Sequence, residues 1–290
     1  MCNCILWNYS NLQLIAIESA GLKETGFIGA IMNYLIDRYE KYKFVFSELV
    51  KRDFNKRYKR SVLGVLWSML APLFQLMVMS FVFNRVFGDS MQHYTIYLFA
   101  GQLIFNYFKE ATNNGMSSII SNAGIITKVT VPKYLFLISK VMAASINFVL
   151  TLVIFFIFVA FEQIAFSWKF IMLLYPIICL FILIIGTGLI LSALYVFFKD
   201  VEYLYEIFTL ALMYFSAIFY DVSIFAGSSM GKMLYINPVY VYINYVREIV
   251  LFGHIPSLTY HLYSLVYALV ILRIGAWMYK KYNYMFLYYI

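Results

Sequence analysis

Charge is what this sequence has least of. Only 12% of its 290 residues are Asp, Glu, Lys or Arg, against roughly 25% in an ordinary soluble domain. With 63% hydrophobic residues and a mean hydropathy of +0.80, a water-soluble globule is excluded. Uncharged runs exceed the ~20 residues that cross hydrocarbon, so several membrane spans are expected. Cysteine is scarce too. Cys2, Cys4 and Cys179 make no zinc or disulfide framework and read as structural thiols. The three histidines, His93, His254 and His261, stand far apart with no carboxylate at ligand spacing, which argues against a metal centre. No catalytic constellation emerges. Met1 to Ala30 lacks a basic start followed by a clean apolar core, so no signal peptide is expected. Asn8-Tyr9-Ser10 matches a glycosylation sequon, but on a segment expected to stay cytoplasmic. Gly227-Ser228-Ser229-Met230-Gly231-Lys232-Met233 has the look of a phosphate loop, yet its glycines are too close and Met233 replaces the hydroxyl residue. No nucleotide site is expected.

What charge there is, is basic and clustered. The net charge of +8 concentrates beside the apolar runs, which suits anionic lipid headgroups and argues against nucleic acid. From Lys51 to Trp67, six basic side chains and one acid end at Arg60, and no charge follows until Arg85. Phe46, Leu49, Val50, Phe54 and Tyr58 recur at three- and four-residue steps on one helix face. Glu48, Lys51, Arg52, Asn55 and Lys59 take the other. Asp53 and Arg57 fall in the apolar stripe four apart, where they can pair with each other. Such a helix, 43–60, lies in the headgroup plane. Residues 1–42 read as a cytoplasmic lead-in, partly helical.

Six spans are expected after it: about 62–83, 94–108, 134–161, 170–198, 203–224 and 258–279. Pro176 and Gly186-Thr187-Gly188 are kink candidates in the fourth. Between the fifth and sixth, residues 225–257 are largely apolar but broken by Asn237-Pro238, Gly253 and Pro256, which suits a re-entrant outer hairpin. The charges test the layout. Ten Lys/Arg precede Ser61, and with Lys109, Lys128, Lys133, Lys140, Lys199, Lys280 and Lys281 seventeen lie inside. Only four, Arg85, Lys169, Lys232 and Arg247, lie outside. Both termini are therefore expected in the cytoplasm. Arg273 falls within the sixth span, a functional candidate by default or a cation snorkelling to the inner surface.

Arg57-Tyr58-Lys59-Arg60-Ser61-Val62-Leu63-Gly64-Val65-Leu66-Trp67, followed by Ala71-Pro72-Leu73, resembles the opening signature of type-2 ABC exporter permeases. The likeness is closest to the group that exports polysaccharides: O-antigen, capsule and teichoic acid. Asn122 through Ile125-Ile126, Lys128-Val129 and Pro132 resembles the family's cytoplasmic segment between spans two and three. Phe198-Lys199-Asp200 resembles its tight inner turn, and Asn237-Pro238 with Arg247-Glu248 its outer hairpin. Lys199 replaces the usual Arg, and Ala71 stands where Gln is common. The likeness runs from about Lys43 to the C-terminus, and the first forty residues have no counterpart.

The resemblance implies an all-α polytopic permease in the bacterial cytoplasmic membrane: six transmembrane helices, an amphipathic interface helix and a re-entrant outer hairpin. It implies a homodimer driven by two separate cytoplasmic ATPase subunits. ATP and Mg bind the partner, and this chain binds no cofactor and catalyses nothing. The cargo is a lipid-linked glycan, whose anionic head meets Lys51, Arg52, Lys56, Arg57, Lys59 and Arg60. Asn122, Ile125, Ile126, Lys128, Val129 and Pro132 belong to the ATPase-coupling element, or to an ordinary polar loop. Asn237, Pro238, Arg247 and Glu248 belong to an outer gate, or to a re-entrant structure without gating. Sugar rings stack on aromatic faces, so Trp67, Phe74, Phe81, Tyr214, Phe215 and Phe219 are candidates for the translocation path. Most of the 27 Tyr and 28 Phe nevertheless serve lipid-facing belts or core packing. An exporter of drugs or small lipids shares the fold. A membrane glycosyltransferase or polymerase needs more spans and larger outer loops.

Overall fold

The computed structural model describes residues 27–290 except Arg60, 88–92 and 223–228. Cys2, Cys4, the sequon, Asp89 and residues 225–228 of the expected outer hairpin lie outside the described residues, as does Arg60. The chain divides into two compact units, Met1–Glu48 and Leu49–Ile290. Helix α1 (Phe27–Tyr58) starts in the first and ends in the second, so it begins sixteen residues before the expected interface helix. Within the first unit, Ser47 Oγ donates to the Phe44 carbonyl at 2.8 Å.

In the second unit every described element is helical. In order they are α2 (Leu66–Phe87), α3 (Tyr94–Met116), a 3-10 turn (Ile120–Asn122), α4 (Ala123–Ile126), α5 (Tyr134–Phe161), a 3-10 turn (Trp168–Leu173), α6 (Leu174–Phe197), α7 (Val201–Phe215), α8 (Ser229–Leu234), α9 (Pro238–Val250), α10 (Leu258–Tyr282) and α11 (Phe286–Tyr289). Among the described residues, four stretches are long and apolar enough to cross a membrane: Leu66–Phe83, Tyr134–Phe161, Trp168–Phe197 and Leu258–Tyr282. They coincide with the expected first, third, fourth and sixth spans.

The expected second and fifth spans fall on α3 and α7, which fail that test for different reasons. α3 carries Gln102, Asn106 and Asn113, and most of its residues are buried. It packs against α2, α5, α6 and α9, so its surroundings are protein and it tolerates polarity that a lipid-facing helix does not. α7 is 15 residues long and stops at Phe215. The chain then turns through Ala217, which takes a positive φ of 49°.

The closest helix pair is α6 with α10. A Cβ added to Gly186 stands 2.6 Å from the Leu272 nitrogen, and one added to Gly275 meets the Gly186 carbonyl. Glycine lets the two backbones touch, the usual way helices gain van der Waals contact inside a bilayer. Gly188 faces Leu137 of α5. Gly186 and Gly188, read from sequence as kink candidates, sit within one unbroken helix and serve close packing. Pro176 stands in the first turn of α6, where a missing N–H costs nothing.

Candidate functional site

The basic end of α1 is tied into the bundle by a chain of polar contacts. Arg52 donates to Asp53 at 2.7 Å and to Asn122 Oδ1 at 2.7 Å. Ser139 of α5 donates to the other Asp53 oxygen at 3.2 Å. Arg57 pairs with Glu110 of α3. Asn147 of α5 donates to the same carboxylate at 3.0 Å and accepts from the Tyr58 hydroxyl at 2.8 Å. Asp53 and Arg57, four apart in the apolar stripe, thus each find a different partner. The stripe faces α3 and α5, which bring in Glu110 and Ser139. Lys51, Lys56 and Lys59 are exposed.

The expected coupling residues split by burial. Asn122 and Ile126 are buried, Ile125 and Pro132 are half-buried, and Lys128 and Val129 are exposed. Asn122 Nδ2 donates to the Ser118 carbonyl at 2.7 Å while its oxygen accepts from Arg52, so it holds the segment's shape. Next to it, Lys133 donates to the Asn283 carbonyl and lies 5.5 Å from the Phe286 ring centre. Burial there holds its amine below the usual lysine range.

The expected gate residues lie along α9, where Arg247 is buried and Asn237 and Pro238 are half-buried. Asn237 caps α9, accepting from the Val239 and Tyr240 amides at 2.9 and 3.4 Å. Pro238 sits in the first turn, where the chain starts a helix with its ring geometry preset. The Asn237 amide also donates to Ser216 Oγ at 2.8 Å. Arg247 is fully buried and donates to the carbonyls of Tyr97, Ala217 and Ile218. Glu248 is half-buried.

Of the expected path residues, Trp67, Phe74 and Phe81 on α2 and Tyr214 and Phe215 on α7 are exposed. Phe219 is buried and stacks on Phe83 with ring centres 5.0 Å apart. Trp67 also borders a cavity of about 340 Å³ between α2, α3 and α5, with Gln75, Gln102, Asn106, Glu110 and Asn147 on its walls. A second cavity, about 510 Å³, shares Arg57, Glu110, Asn113 and Asn147 with the first and adds Asp53, Lys56 and Lys140. The two cavities therefore adjoin at the basic end of α1.

Sequence reasoning passed over Gln102, Asn106, Glu110 and Asn113. Their signal was present: steps of four, four and three place them on one face of a helix, a polar stripe within an apolar stretch. It also passed over His93 with Glu162, which meet at 2.7 Å from 69 positions apart.

Known proteins resemble this chain over most of its length. A family model described as ABC-2 type transporter matches residues 45–251. The chain is 28% identical over 244 residues to an O-antigen export system permease protein of Klebsiella pneumoniae, covering 82% of this chain and 92% of that protein. A protein of the same description from Myxococcus xanthus is 27% identical over 209 residues, 71% of this chain and 79% of its own length. The polysialic acid transport protein of Escherichia coli is 23% identical over 254 residues, 83% of this chain and 95% of its own length.

Proposed function

Because this multi-pass chain belongs to the ABC-2 type transporter family, we propose that it is the transmembrane permease subunit of an ATP-driven exporter. Its cargo is a lipid-linked polysaccharide of the O-antigen, capsule or teichoic-acid kind, carried across the cytoplasmic membrane. The observation that carries the reading is the likeness, over most of both chains, to permeases named for O-antigen export and polysialic acid transport.

In this reading the chain crosses six times, with α3 and α7 as the second and fifth crossings and both termini in the cytoplasm. Residues 1–42 lead into an interface helix over 43–60, and the permease domain is 43–290. Residues 225–257 form a re-entrant hairpin whose gate residues are Asn237, Pro238, Arg247 and Glu248. Burial of Arg247 supports a hairpin packed within protein, because a cation facing hydrocarbon is costly. Two copies form a homodimer, and the exposed aromatic residues of α2 and α7 line the path between them. Lys51, Arg52, Lys56, Arg57, Lys59 and Arg60 present a cationic surface that attracts an anionic head group.

Two cytoplasmic ATPase subunits bind ATP and Mg and do the chemistry. Their closure pushes on the coupling element, about residues 113–133, with Lys128, Val129 and Pro132 in contact, and the push reorients the spans. Deletion of the chain tests the whole reading. The expected result is lipid-linked glycan accumulating inside the cell and lost from the surface. Glycan absent altogether would point to synthesis and overturn the export role.

A further inference from the structure

We propose that the cavity between α2, α3 and α5 is a sugar-binding subsite within a single subunit, receiving the saccharide unit next to the lipid-phosphate end of the cargo. The inference rests on the export reading and adds to it a place where the glycan is recognised.

Three helices each contribute a polar stripe to this cavity: Ser68 and Gln75 from α2, Gln102, Asn106 and Asn113 from α3, and Asn147 and Thr151 from α5. Amides at membrane depth are costly unless something occupies their hydrogen-bonding groups. Some are occupied internally: Asn106 Nδ2 donates to Gln75 Oε1 at 3.1 Å, and Asn147 bridges Tyr58 and Glu110. Two are not. The Gln102 amide nitrogen and the Asn113 oxygen are buried without a hydrogen-bond partner, although Gln102 is only 5% exposed. One is a donor and the other an acceptor. A sugar hydroxyl is both and can satisfy either group, but not both from one ring, since they stand about 16 Å apart along α3.

The walls fit the same chemistry. Trp67 borders the cavity and is exposed, and its face can stack against the C–H face of a sugar, while Tyr107 and Phe148 stack on each other with ring centres 4.3 Å apart. Its volume of about 340 Å³ lies at the small end of ligand pockets, ~300–1,000 Å³, enough for a short saccharide and not for a long chain. The adjoining cavity adds Lys56 and Lys140 to the Arg57 that both cavities share, cations that suit a phosphate beside the sugar.

The test uses the full chain purified in lipid nanodiscs and two probes: lipid-linked glycan extracted from the deletion strain, and farnesyl diphosphate, which has no sugar. Thermal unfolding is followed with each, and surface glycan is measured in complemented cells. Gln102→Leu removes an amide with no partner, so the variant alone should unfold no earlier than the native chain. Combined with Trp67→Ala, it should lose the part of the thermal shift that the glycan adds over farnesyl diphosphate. Surface glycan should fall roughly tenfold, the size expected when about 1.4 kcal/mol of contact is lost, while the farnesyl diphosphate shift stays. A double variant that keeps the full glycan shift and native export overturns the subsite and leaves the export reading standing. A deletion strain that accumulates no lipid-linked glycan overturns both.

Discussion

The Arg247 guanidinium lies 3.4 Å from the centre of the Tyr97 ring and donates to the Tyr97 carbonyl at 3.1 and 3.2 Å. The same group reaches the Ala217 carbonyl at 2.8 Å and the Ile218 carbonyl at 3.2 Å. A buried cation is tolerable only when its donors are met, and here α9 meets them with carbonyls from α3 and from the turn after α7. The contact joins three segments that must keep register if the hairpin is to act as a gate.

Removing that group should therefore do more than empty a space. Arg247→Ala takes the charged donor from three carbonyls, and hydrogen bonds to charged groups are worth about 1.5–3 kcal/mol each. A loss of at least about 3 kcal/mol is expected, read as early thermal unfolding in detergent and low yield. Arg247→Lys should recover only part of it, because one ammonium cannot span the fork. Full stability in Arg247→Ala would refute the joint.

Ala217 takes its positive φ in the turn that Arg247 holds, a conformation that costs an L-residue roughly 1–2 kcal/mol. Ala217→Gly should match or exceed native stability by up to about 1 kcal/mol, since glycine carries no such penalty. Ala217→Val should destabilise, because a branched side chain fits neither the backbone nor the buried site. Equal unfolding temperatures for all three would contradict the strain.

At the α6–α10 crossing, Gly186→Val should prevent close approach, because an added Cβ already meets Leu272 backbone at 2.6 Å. Overpacking of this kind costs about 1–3 kcal/mol. Gly124 has nothing within 4 Å of an added Cβ, so Gly124→Ala is the matched control and should be neutral. Thermal unfolding of the two variants side by side checks the contrast.

The coupling segment offers a separation of roles. Asn122→Ala breaks the tie to Arg52 and to the Ser118 carbonyl and should lower stability by about 1–3 kcal/mol. Lys128→Ala with Val129→Ala touches exposed side chains and should leave stability within about 0.5 kcal/mol while reducing co-purification of the ATPase. Replacing Lys128 and Pro132 together should act likewise. Unchanged co-purification in both variants would count against the coupling role.

Much of this architecture was readable in the chain itself, for reasons of energy. Four runs, including Tyr134–Phe161 and Leu258–Tyr282, are long and predominantly apolar, and such lengths suit a membrane or a deep core. The Lys51 to Trp67 junction was readable as well, because abrupt loss of charge has few physical meanings. α3 was harder. Its polar stripe made it a weak span by composition, and only the helices packed around it explain why amides are tolerated there.

The functional site shows the same division. The sequence by itself determined that Arg57 and Asp53 share the apolar stripe of an amphipathic helix, since helical periodicity places them there. It did not determine their partners. Arg57 meets Glu110 from 53 positions away, and Arg52 meets Asn122 from 70. The family resemblance named Arg247 as a gate candidate, without the carbonyls that make it stable. Periodicity and charge are local and survive in a one-dimensional string. Which polar groups satisfy one another depends on how helices cross, and that is decided by close packing at places such as Gly186 and Gly275.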